Sequence, residues 1–152
     1  MNLFHLSQSN LTNRTLNPRI PSNWLIDNGF EDNKTKRICF APSIDKSLIA
    51  MSANLENKEF YVHVPKHNPT RIKKPTKKEV PDSIITGEIW VLEEVELKCI
   101  GKIRVTDSID KPYKYSFGNN NEYSAELYAW KWKWIEKNNS LLEFSIKLLG
   151  GL

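Results

Sequence analysis

Residues 37–51, Arg-Ile-Cys-Phe-Ala-Pro-Ser-Ile-Asp-Lys-Ser-Leu-Ile-Ala-Met, constrain the fold of this chain most. Ile38, Cys39, Phe40 and Ala41 make an apolar run with the length and composition of a strand. Pro42 lacks an amide hydrogen and ends the ladder, and Ser43 or Asp45 then caps a helix carrying Leu48, Ile49 and Met51. The predicted unit is strand, tight polar turn, helix. Such a turn collects backbone N–H groups and a small hydroxyl at a helix N-terminus, where a phosphate or polar ligand is held. The same unit also serves as a plain core strand with a packing helix.

The flanking sequence is mostly strand-like. Residues 2–6 read as an opening strand, with Leu3 and His5 on one face and Phe4 and Leu6 on the other. Residues 7–36 are irregular and rich in asparagine, centred on Pro18, Arg19, Ile20 and Pro21, with Ser22 positioned to cap a short helix holding Trp24 and Leu25. The apolar Trp24, Ile26 and Phe30 favour an ordered, packed loop over a disordered one. Glu59–Pro65 is an aromatic and β-branched strand. Residues 66–82 form an exposed, proline-interrupted loop carrying Arg71, Lys73, Lys74, Lys77 and Lys78. Two β-rich runs follow, 84–95 and 98–106, with Glu93, Glu94 and Glu96 between them as a turn or solvated edge. Loop chemistry returns over 107–121.

The last segment alternates Tyr128, Trp130, Trp132 and Trp134 with Lys131 and Lys133. A turn at 138–140 and a second alternation over 142–148 make residues 126–149 a terminal β-hairpin. Tyr123, Leu127, Trp130 and Trp134 also share a helical stripe, so a helix stays open here. The count, about seven strands and one convincing helix, describes an α+β fold with a mixed, mostly antiparallel sheet. With 152 residues, 39% apolar and 26% charged, the chain is a single globular domain over 1–152 that needs no covalent staples.

Function classes narrow by elimination. Neither a signal peptide nor a membrane-length apolar run is present, and Cys39 and Cys99 sit singly within strands. The expectation is a cytoplasmic protein with no membrane partner and no disulfide framework. The dinucleotide-binding glycine fingerprint, the phosphate-loop motif and the serine nucleophile elbow are all missing. His5, His63, His67, Cys39 and Cys99 lack metal-ligand spacing, so no metal is expected. A formal charge of +4 permits an anionic partner.

What remains is an order of residues: His5 in Leu-Phe-His-Leu-Ser, the 37–51 unit, and Glu88 opening Gly-Glu-Ile-Trp-Val-Leu. This order resembles the ADP-ribosyltransferase superfamily, especially small bacterial and phage members such as the rifamycin ADP-ribosyltransferases. The resemblance spans about residues 2–105. His5-Leu6-Ser7 stands where the family ends its first strand in His, a small residue and Thr or Ser. Ile38-Cys39-Phe40-Ala41, then Pro42-Ser43, matches its second strand and polar turn, and residues 98–103 match the strand after its acid. Two positions depart: Cys39 stands where many members have Tyr, and Leu6 is bulkier than the usual Gly.

The resemblance implies a split sheet with one or two helices, NAD as substrate, and transfer to an unidentified protein, nucleic-acid or small-molecule acceptor in a phage or mobile-element setting. Glu88 and His5 would be catalytic. Ser7, Arg19, Phe40, Ser43, Tyr61 and Trp90 would bind NAD, with Phe40, Tyr61 or Trp90 supplying the nicotinamide stack that Cys39 cannot. Arg19 would clamp the diphosphate, or else tie its loop to Glu31 or Asp32. The alternative function is a non-enzymatic module binding protein or nucleic acid through the Trp/Lys hairpin and the basic loop.

Overall fold

The computed structural model describes residues 1–51 and 53–137. Ten strands and three short helices are present among them. The architecture is α+β, with antiparallel pairing in every ladder. The strand predicted over 142–148 and the turn at 138–140 lie outside the described residues.

The larger sheet runs β1 (His5–Ser7), β4 (Glu59–Pro65), β7 (Val95–Ser108), β10 (Trp130–Lys137), with β2 (Thr15–Leu16) also paired to the start of β7. Strand β7 is long because it serves three partners along its length. At Gly101 it passes so close to β10 that a Cβ would stand 2.5 Å from the Glu136 carbonyl oxygen. Helix α2 (Ile44–Met51) follows the turn expected of it: the Ser43 hydroxyl accepts from the Lys46 amide at 3.1 Å. Its Ile44 and Leu48 join Phe60, Val62, Val64, Ile100, Ile103, Val105 and Trp130 in the first core cluster. Trp132 and Trp134 pack on that cluster, and the Trp132 Nε1–H donates to Asp45 at 2.8 Å. The tryptophan row therefore faces the core, and the lysines between face solvent.

A smaller sheet, β3 (Ile38–Phe40), β6 (Ile89–Val91), β5 (Ile72–Lys73), carries the second core cluster with Leu3, Ile38, Phe40, Ile89, Val91, Val95 and Leu97. One bridge joins the two sheets: Phe4 and Ala41 exchange both backbone hydrogen bonds, at 2.8 and 3.0 Å. His5 and Cys39 lie just beyond this junction, one on each strand and in contact.

Three expectations are corrected. Residues 84–95 are not one strand. The amides of Ile85 and Thr86 both turn back to the Asp82 carbonyl, forming helix α3 (Ser83–Thr86). Gly87, at φ 64, ends α3 in the left-handed conformation, which aims the chain into β6 at Glu88. Short-range hydrogen bonding outweighs the strand preference of Ile84 and Ile85 here. Residues 107–121 are not all loop, because β7 continues to Ser108 and β8 (Tyr113–Phe117) pairs with β9 (Tyr123–Leu127) as a separate hairpin. The helix at residue 24 is capped by Asn23, whose side chain accepts from the Ile26 amide, rather than by Ser22. That helix is α1 (Trp24–Asp27).

Candidate functional site

The elements that meet at the Phe4–Ala41 junction leave a cleft of about 220 Å³, lined by His5 from β1, Cys39 and Phe40 from β3, Ser47 and Met51 from α2, and Thr86 and Glu88 around Gly87. Two further cavities adjoin it. One, of about 540 Å³, is lined by His5, Thr15, Asn17, Arg19, Arg37 and Cys39. The other, of about 210 Å³, is lined by Asn23, Glu31, Cys39, Asp82, Thr86 and Glu88. Cys39 belongs to all three, His5 to the first two and Glu88 to the first and third. Taken together they offer room of the order used by small-molecule sites, about 300–1,000 Å³.

His5 is held from both sides. Its Nδ1 faces the Cys39 carbonyl at 3.4 Å and donates to it, which leaves Nε2 as the acceptor. Its backbone carbonyl meets Nδ1 of His63 at 3.2 Å. His63 is fully buried, and its Nε2 accepts the Leu11 amide at 2.9 Å, so Nδ1 carries the proton. Burial, above all, lowers both imidazoles from their ordinary value, His63 to about 4; the nearby Arg19 charge lowers His5 further. Both rings are neutral at pH 7.

The opposite end is acidic. Burial, then the charges of Glu88 and Asp82, push the Glu31 carboxyl up to about 7 even though Arg37 lies 3.2 Å away. Burial and Glu88 likewise raise Asp82 to about 6. Cys39 lies between Glu88 and Arg37; burial first, then Glu88, push its thiol up, so it is protonated and unreactive. Arg37 is the anchor of this end. Its buried guanidinium donates to the carbonyls of Asp32 and Thr35 at 3.0 and 2.9 Å, and lies 4.2 Å over the Trp90 ring.

Of the residues singled out from sequence, His5, Phe40 and Glu88 line the cleft and Arg19 lines the adjoining cavity. The rest stand elsewhere. Ser43 is occupied as the α2 cap. Ser7 accepts from the Ser9 amide, and Tyr61 packs under Lys102 on β4. Trp90 is fully buried beneath Arg37, which takes the ring face that a ligand would need. The tie to Glu31 and Asp32 considered for Arg19 is made by Arg37 instead. Glu31, Asp82 and Thr86 are site residues beyond those expected from sequence. No local pattern marks the two acids, whereas Thr86 was legible through its place two residues before Glu88.

The chain matches no family model, no curated protein and no solved structure. Among the described residues no group of histidine, cysteine and acidic side chains is arranged to hold a metal ion, and no helix is long and apolar enough to cross a membrane.

Proposed function

We propose that this chain binds NAD and transfers its ADP-ribose to an acceptor, in the manner of the ADP-ribosyltransferases that its sequence resembles. The observation that carries the reading is the convergence of His5 from β1, Phe40 from β3 and Glu88 from the α3–β6 connection on one cleft, with Arg19 lining the adjoining cavity. In this reading the nicotinamide ribose occupies the cleft and the diphosphate lies toward Arg19, whose guanidinium suits a planar, charge-assisted contact.

The bond broken is the one between ribose C1′ and the nicotinamide nitrogen. Its electron pair leaves with nicotinamide, and the ring loses its positive charge. C1′ then resembles an oxocarbenium ion, as in glycoside cleavage. A fixed carboxylate from Glu88 stabilises that charge in a partly dry site. The free Nε2 of neutral His5 accepts from a ribose hydroxyl and fixes the sugar. The acceptor's nucleophilic atom gives its lone pair to C1′, and its proton passes to solvent water. Of the three aromatics considered for the nicotinamide stack, Phe40 is the one among the described residues at the cleft.

Calorimetric titration of NAD into the whole protein tests the reading. Saturable binding that His5→Ala weakens is expected; no heat of binding at millimolar NAD overturns it.

A further inference from the structure

Beyond the cleft, the basic loop and the β8–β9 hairpin meet in a groove of about 650 Å³ lined by Phe30, Lys77, Lys78, Phe117, Asn119 and Asn121. Beside it are two ring stacks. Trp24 lies on Phe30 with centroids 5.6 Å apart and planes 20° apart, and Tyr123 lies on Phe117 at 5.3 Å and 20°. The inner rings meet edge to face at 5.2 Å. Packing alone accounts for the inner pair, since Phe30 and Phe117 hold the hairpin against the helix-α1 region. It does not account for the outer pair: Trp24 is 60% exposed and Tyr123 45% exposed, each backed on one face by another ring.

Lys77 and Lys78 make no ion pair among the described residues, unlike Lys66 and Lys73, which pair with Glu96 and Glu79. Acids border the groove on the hairpin side: Glu122 stands at the Gly118 turn, and the charges of Asp82 and Glu31 reach Tyr115 on β8. The positive end is therefore the lysine end. Exposed aromatic faces, two uncommitted cations and two side-chain amides are the components of sequence-tolerant single-strand recognition: bases stack, lysines follow the phosphates, amides meet base edges. The groove mixes the two characters: Phe30, Pro81 and Phe117 lie beside the lysines and asparagines, a combination that suits a base on a ring with its phosphate at a lysine.

We infer that the groove between Lys77–Lys78 and the β8–β9 hairpin, with Trp24 and Tyr123 as its stacking platform, docks a single-stranded nucleic acid. The inference goes beyond the NAD reading and does not require it, because its test contains no NAD.

The test is fluorescence polarisation of a fluorescein-labelled oligothymidylate and oligouridylate of about ten nucleotides, the span of one such platform, titrated with the full chain. Binding is expected to weaken steeply between about 50 and 200 mM salt. Trp24→Ala, and Lys77→Glu with Lys78→Glu, should each reduce affinity about tenfold or more. Lys131→Glu with Lys133→Glu, on the solvent face of β10, should change it less than about twofold. No polarisation change, or insensitivity to both groove variants, overturns the inference. So does loss caused by the β10 pair instead, or equal binding of a polyglutamate peptide.

Discussion

The two cavities flanking Cys39 share one strand and yet carry opposite charge. On one side stand Arg19 and a neutral His5; on the other Glu31, Asp82 and Glu88 crowd together. Arg37 divides them: its backbone pairs with Arg19, and its side chain turns the other way onto Glu31, Asp32 and Trp90. One buried cation does not neutralise an acidic pocket. Glu31 stays raised to about 7 despite its ion pair, because burial and two neighbouring carboxylates outweigh Arg37. The acidic side therefore titrates near neutral pH, through Glu31 and Asp82.

Breaking the divider has the largest effect. Arg37→Ala leaves Glu31 and Asp32 without their cation and empties the space over Trp90, at a cost of about 3–5 kcal/mol. Thermal unfolding should show a midpoint lowered by about ten degrees for a chain of this size. On the basic side, Arg19→Ala removes a charge-assisted partner for an anion. NAD affinity should fall about tenfold by calorimetry, with the thermal midpoint nearly unchanged.

On the acidic side the sign of the pH effect is fixed by the direction of the shifts. Glu31 and Asp82 are raised in the folded chain, so they stabilise it at low pH and that contribution is lost as pH rises through about 6 and 7. His63 behaves oppositely: lowered to about 4, it contributes stability above pH 6.5 that is lost as pH falls toward 4. Glu31→Gln should therefore flatten the fall in thermal midpoint between pH 5 and 8, by a few degrees, and leave the acid limb unchanged. The smallest effect is at Gly87, the left-handed cap of α3. Gly87→Ala forces a side chain into φ 64 and within 3.1 Å of Pro42, costing about 1 kcal/mol in denaturant unfolding. Nicotinamide release should drop more than that loss of stability explains, because Glu88 is the next residue.

The legibility of this chain follows the range of its interactions. The 37–51 unit was readable because Pro42 and Ser43 act within a few residues of themselves. The tryptophan row was readable because alternation fixes which face a strand buries. Gly87 signalled a helix end that the β-branched run before it concealed. The opposed charge of the two cavities was not readable. It depends on Glu31, Asp82 and Glu88 meeting across more than fifty residues of chain, and on Arg37 rather than Arg19 facing the acids. Trp90 shows the same limit: a tryptophan near Glu88 in sequence is screened from the cleft by a guanidinium fifty-three residues earlier.

Nicotinamide release from NAD by the purified protein, measured beside Glu88→Gln, decides whether Glu88 acts at the cleft. The wild type should release nicotinamide, and the variant should lose about a hundredfold or more of that rate with its thermal midpoint retained. Release that Glu88→Gln leaves intact would contradict that role.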